Sequence, residues 1–194
     1  MNQTSPIRYI GESVPRIEDR RLLTGEGQFV DDVTMPDLLH MAILRSPLAH
    51  ARIKAISLES ARAMPGVVDV FCASNIDFPL PDIPLRLAPF KGFERFLQKP
   101  LAIDKVRYVG EPVAVVIAES RYLAEDAIAA ITLDLTALPA VTSVKEAEAG
   151  HDLLHDAAGE NIGAQYTVER GNIDSVFKNA PYVRREQFVT NRHG

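Results

Sequence analysis

Few side chains in this sequence combine the type and spacing that chemistry needs. Glu111, in Gly110-Glu111-Pro112, is the tempting general acid or base. No second carboxylate or histidine stands beside it, and an apolar run follows at once, so it reads better as an acceptor for N–H groups of a turn or of a partner subunit. His50 ends the turn Arg45-Ser46-Pro47-Leu48-Ala49-His50, and a histidine between two strands reads as a hydrogen-bonded structural residue. His151 and His155 stand four apart, a spacing that on a helix would aim two imidazoles at one metal, but the segment reads as a connection. The single Cys72 excludes an internal disulfide framework and a cluster needing about four thiolates. No phosphate loop, nucleophile elbow, H-E-x-x-H or C-x-x-C occurs. Gly25-x-Gly27 is too short for a dinucleotide fingerprint, and Asn2-Gln3-Thr4 is a chance sequon. The sequence therefore assigns no catalytic, cofactor-binding or metal-ligating residue to this chain, and whatever redox chemistry it serves must lie elsewhere.

The elements that would position such residues are organised around Leu101 to Ala140. Val113 to Ala118 is a run of six apolar residues, mostly β-branched, which predicts a strand buried on both faces. On that reading, Val115→Asp would bury an unpaired charge. Pro112 should open the strand, because it cannot donate to a ladder, and Gly110 permits a backbone angle closed to other residues. Ser120 is the expected N-cap of a helix carrying Leu123, Ala127, Ile128 and Ile131 on one face. A short strand, Thr132 to Leu135, follows, and Pro139 closes the unit.

Upstream, Ser13 is expected to cap a helix with Glu18 and Asp19 in its first turns and Gly25 as its stop; the charges from Arg16 to Arg21 read as a solvated face. Leu38 to Leu44 and Arg52 to Ile56 are predicted strands. Ser57 caps a helix over Leu58 to Met64 that ends at Pro65-Gly66, and Val67 to Ala73 is a third strand. Asn75 to Pro100 carries Pro79, Pro81, Pro84, Pro89 and Pro100 and reads as a long loop, with Phe90 to Leu97 forming a short turn that packs its phenylalanines. Beyond Val144 to Asp156, read as a connection, strand, helix and strand are predicted over Gln165 to Arg170, Asp174 to Ala180 and Tyr182 to Thr190.

The chain has 194 residues, 46% hydrophobic and 24% charged, with net charge −5. That suits one globular domain plus part of another. It offers no basic footprint for nucleic acid or an anionic membrane, no apolar run of the roughly 20 residues that span a bilayer, and no signal-peptide core at its start. A cytoplasmic protein is the default.

Several blocks carry a resemblance. P-L-A-x-D-K-V-R-Y-V-G-E-P-V-A-V-V from Pro100, A-E-S-R-Y-L-A-E-D-A from Ala118 and L-P-A-V from Leu138 resemble the amino-terminal part of the large, molybdopterin-binding subunit of the molybdenum hydroxylases. These are the xanthine dehydrogenase and aldehyde oxidase family, and the likeness is strongest to the carbon-monoxide-dehydrogenase-like branch. P-R-x-E-D-R-x-L-L-T-G-x-G-x-F-V-D-D from Pro15, R-S-P-x-A-H-A from Arg45 and A-x-P-G-V from Ala63 point the same way. The resemblance implies an α+β fold: an α/β-hammerhead domain, with a mixed sheet and two or three short helices, over residues 19–150 after a polar arm, 1–18. The linker and the first strands and helix of a molybdopterin-binding domain then occupy 151–194. Leu153 to Asn161 resembles that linker, and Gly171 to Phe177 resembles the family's G-D-V-D-x-A-F, with Asn172 in place of the usual acid.

The resemblance further implies an oxidoreductase that oxidises an aldehyde, an N-heterocycle or carbon monoxide. Its molybdenum-pterin centre lies in the complete large subunit, a 2Fe-2S cluster on a small subunit and FAD on a medium subunit. The sequence stops at Arg192-His193-Gly194, ahead of the family's pterin loops and base glutamate, so a truncated or split subunit is expected. The other class of reading is a free-standing interaction or scaffold module that keeps the fold without the chemistry. On either reading Phe177, Tyr182, Val183, Phe188 and Val189 lack a second layer to bury them, and the tail is expected either to dock on the first domain or to self-associate.

Overall fold

A computed structural model describes residues 9–85 and 92–190. The chain divides into two compact units, residues 1–79 with 101–137 and residues 80–100 with 138–194.

Among its described residues the first unit holds six strands and three α-helices. In chain order they are α1 (Asp19–Leu23), β1 (His40–Arg45), β2 (Ala51–Ser57), α2 (Glu59–Arg62), β3 (Val67–Cys72), β4 (Lys105–Val106), β5 (Pro112–Ala118), α3 (Arg121–Ala129) and β6 (Thr132–Ala137). The expected α+β class is what the strands and helices make. The one mixed sheet is not: the strands form two three-stranded sheets, β1-β5-β3 and β4-β2-β6, in which all four pairings are antiparallel. The reason lies in the connections. Residues 46–50 carry the chain from β1 in one sheet to β2 in the other. Residues 58–66 carry it back to β3, and they are fewer than the dozen or so that a parallel crossover needs. The strand-helix-strand pattern of β2, α2 and β3 is real, yet its strands never share a sheet.

β5 is the central strand of its sheet, between β1 and β3, and Pro112 is its first residue. Its side chains alternate between two cores. Ala114, Val116 and Ala118 enter one with Val70, Cys72, Leu58, Ala61, Ala124 and Ala127, while Val113 enters the other with Ala51, Ala102 and Val106. Val115, by contrast, is only half-buried and lines an open apolar cleft with Phe71, Ile76, Phe78 and Leu101. The strand is thus buried on one face along its length and on the other only at Val113. An apolar run marks both cases alike, because β-branched residues suit a pleated surface whichever side is covered.

α3 forms as its cap dictates: Ser120 Oγ accepts from the N–H of Leu123 at 3.3 Å, and Ala124 and Ala127 are fully buried beneath it. The helix is docked by its small residues, with Leu123 and Ile128 packing at the margin of the same core and Ile131, just past its end, buried within it. The other two expected caps differ. α1 starts at Asp19 with Glu18 before it and no side-chain cap; Pro15 lies between Ser13 and that start, and a proline turns its predecessor away from helical angles. α2 is one turn long, and Ser57 donates its hydroxyl to Glu59 Oε2 at 2.9 Å instead of capping it.

In the second unit, Phe93–Phe96 is a single 3-10 turn whose two rings lie 5.8 Å apart, so part of the predicted phenylalanine turn is present; Phe90 and Lys91 lie outside the described residues. α4 (Val144–Ala149) appears where the sequence reading placed a connection. A reciprocal cap makes it: Glu146 N–H donates to Ser143 Oγ at 3.2 Å, and Ser143 N–H to Glu146 Oε2 at 3.0 Å. α5 (Ile173–Asn179) is where it was expected, but among the described residues neither Gln165–Arg170 nor the residues up to 190 pair in a sheet. Strand-like sequence makes no strand without a partner ladder, and these residues are exposed.

Candidate functional site

Among the described residues, the buried polar and charged residues of the first unit are Ser46, His50, Lys105 and Glu111, each at most 4% exposed. Three of them belong to the segments where the two sheets meet, residues 46–50 leading from β1 to β2 and residues 107–111 leading from β4 to β5, and Lys105 stands in β4 just before the second segment. Ser46 and Glu111 clip those segments together. Ser46 N–H donates to Glu111 O at 2.9 Å, Gly110 N–H donates to Ser46 O at 2.8 Å, and Arg45 Nη1 donates to Gly110 O at 2.9 Å. Gly110 takes φ +91° at this turn, an angle that side chains disfavour. Ser46 Oγ adds a local turn, accepting from Leu48 N–H at 3.1 Å.

The Glu111 carboxylate points inward. Oε2 accepts from the backbone N–H of Arg107, and the Arg107 guanidinium stands 4.0 Å from Oε1. That guanidinium is divided: Nη1 donates to Lys105 O at 2.9 Å and Nη2 lies 3.8 Å from Asp104. Burial pushes the Glu111 carboxyl above the ordinary carboxylate range, opposed by the Arg107 N–H and its charge. Burial, with the neighbouring Glu111 charge, also raises the Tyr108 hydroxyl. The contacts of Glu111 and Ser46 make the site a structural joint, in which backbone and side chain of both segments hold one another in place.

The remaining residues singled out by type are placed apart from it in function. His155 meets Phe96 edge-on, centroids 5.6 Å apart, and His151 lines an open depression with Val141, Lys145, Glu146 and Asp152. Among the described residues no group of three or more His, Cys, Asp or Glu is placed to hold a metal. Cys72 is buried in the first core, where its thiol meets Ser74 Oγ at 3.1 Å. Two family-like polar residues of the second unit work as local ties. Asn161 Oδ1 accepts from Leu154 N–H at 3.0 Å while its amide donates to Asp152 O at 2.8 Å. Asn172 caps α5, accepting from Ser175 N–H at 2.9 Å, so the change from the usual acid keeps the cap. Sequence reasoning missed Lys105 and Ser46: a lysine is the residue least expected at 1% exposure, and the two-residue strand that holds it is too short to show a period.

The comparisons agree with this architecture. Residues 24–139 match the model of the aldehyde oxidase and xanthine dehydrogenase a/b hammerhead domain. The 6-hydroxypseudooxynicotine dehydrogenase complex subunit gamma of Paenarthrobacter nicotinovorans is 40% identical over 95% of this chain and 24% of its own length. The carbon monoxide dehydrogenase large chain of Hydrogenophaga pseudoflava is 37% identical over 84% and 21%. Quinoline 2-oxidoreductase from Pseudomonas putida 86 superposes with a TM-score of 0.75 at 37% identity, covering 92% of this chain and 22% of that one. The chain spans about a quarter of the length of the curated relatives it matches. It belongs to the aldehyde oxidase and xanthine dehydrogenase family of molybdenum hydroxylases, and it carries that family's α/β-hammerhead domain.

Proposed function

We propose that this chain is the hammerhead part of the large subunit of a molybdenum hydroxylase, holding and connecting the subunit while the reaction centre is built from residues outside the chain. The observation that carries the reading is one of coverage: 95% of this chain aligns with 24% of a relative that is a subunit of a dehydrogenase complex. On this reading residues 1–18 are an arm, 19–150 the hammerhead domain, and 151–194 the linker and opening of the molybdopterin-binding domain. The substrate is an N-heterocycle, an aldehyde or carbon monoxide, the classes that the relatives' names carry. The partners are the remainder of the large subunit, a small iron–sulfur subunit and a medium FAD subunit, all in the cytoplasm.

The chain's own donor set supports placing the cofactors elsewhere. One buried thiol, Cys72, does not fit a cluster needing about four thiolates, and the described residues offer no three-donor group for a metal. The catalytic, cofactor-binding and metal roles are therefore assigned to no residue here. Elemental analysis and co-expression test the reading together. The isolated chain should carry no stoichiometric molybdenum and oxidise no aldehyde, purine or carbon monoxide, whereas co-expressed with the rest of a large subunit and the two smaller subunits it should enter a molybdenum-containing complex. Stoichiometric metal in the isolated chain overturns the reading, and exclusion from the complex favours the scaffold module instead.

A further inference from the structure

We propose that the open face of the β1-β5-β3 sheet docks the remainder of the large subunit, which lays an apolar segment ending in lysine or arginine across Val115. This rests on the chain's being part of such a subunit. The two faces of the sheet are unequally covered. On one, Ala61 of α2 and Ala124 and Ala127 of α3 meet Val70, Ala114 and Val116. On the other, among the described residues, the second sheet reaches β5 at Val113 alone. Beyond it Ile43, Val115 and Phe71 stand in one cross-strand row, and Met41 pairs with Ile117 in the next; residues directly opposite on neighbouring strands share a face. Val115 and Phe71 line an open cleft of 390 Å³ with Ile76 and Phe78. The side chains flanking this face stay exposed, Phe78 at 65% and Met41 at 62%.

A contiguous apolar face marks an interaction surface, and a sheet gains stability when a second layer covers it. Shape selects the kind of occupant. A small ligand is held where a site buries most of its surface, which a face open along two rows does not do, whereas a layer of polypeptide covers it whole. Length selects the source. The subunit gamma of Paenarthrobacter nicotinovorans matches 95% of this chain with only 24% of its own length, and quinoline 2-oxidoreductase matches its fold with 22%, so about three quarters of such a chain is polypeptide able to form that layer. Charge selects the sequence. Asp77 is exposed at the rim of the cleft, and a carboxylate covered by a partner needs a cation beside it. The docking segment therefore brings apolar side chains to Val115 and Phe71 and a lysine or arginine to Asp77.

The test uses the full chain co-expressed with the rest of a large subunit and the two smaller subunits. With p-benzoylphenylalanine in place of Phe78, illumination of the complex should cross-link this chain to the remainder of the large subunit. Phe78→Glu and Met41→Glu should each lower recovery of the chain in the complex about tenfold, the scale of one hot-spot side chain. Both positions are exposed, so the isolated variants should melt as the wild type does. Tyr122→Glu, at a position 79% exposed on the helix that covers the other face, should leave recovery unchanged. Cross-linking to a smaller subunit or to a second copy of this chain overturns the proposal. So does wild-type recovery of Phe78→Glu and Met41→Glu, or an equal loss with Tyr122→Glu. In each of those cases the wild-type chain still enters the complex, and its reading as part of a large subunit stands. A wild-type chain absent from the complex overturns both.

Discussion

Gly66 lies against Leu123 so closely that a β-carbon on the glycine would stand 2.5 Å from Leu123 Cδ1. The same residue takes φ +77°, and its carbonyl accepts from Glu119 N–H at 2.9 Å, so the turn before β3 and the start of α3 are fitted to one another. Gly66→Ala meets both a strained backbone and a side chain held in the core margin. It should cost more than about 1 kcal/mol, read as a lower urea midpoint with unchanged slope. An unchanged midpoint would mean that the turn has room to relax.

Val116 and Val115 are neighbours with opposite surroundings. Val116 is fully buried under α3, so Val116→Asp places an unpaired charge in the core and should cost several kcal/mol, on the order of a marginal domain's whole stability. Val115→Asp faces the open cleft beside Phe71 and Phe78 and should leave a cooperative, weaker transition. Circular dichroism melts of the two variants decide the order, and equal losses would show the cleft to be closed in solution.

Asn172→Ala removes the acceptor for Ser175 N–H, and a lost N-cap costs about 1 kcal/mol. Amide exchange at Ser175 and Val176 should speed by roughly fivefold at that energy. Asn172→Asp, which restores the family's acid, should keep the protection.

The tail beyond residue 162 exposes Tyr166, Val168, Phe177, Tyr182, Phe188 and Val189. Light scattering should show the full chain associating with itself, and removal of this tail should give a monomer. The cut belongs after Asn161 rather than near Gly150. Glu160 binds Arg95 at 2.7 Å and His155 packs on Phe96, so a cut at 150 would strip the loop of residues 92–97 of its partners. A shortened chain that still associates would move the sticky surface to the first unit.

Local chemistry was legible in the sequence wherever it was complete within a few residues. Ser120 and α3, Pro112 opening β5, Gly110 at its turn and the apolar run of β5 follow from propensity, capping and a missing N–H, which depend on neighbours along the chain. The family, and with it the hammerhead fold, was legible because long motifs such as the one from Pro100 to Val116 fix many positions at once. Tertiary structure decided the rest. Which sheet each strand joins depended on the lengths of residues 46–50 and 58–66. Which face of β5 is covered, and so why Val116 is core and Val115 is not, depended on where α3 lands. The burial of Lys105, and of Glu111 against Ser46, arises from segments some sixty residues apart, and no local pattern encodes a desolvation that only the meeting of two sheets creates.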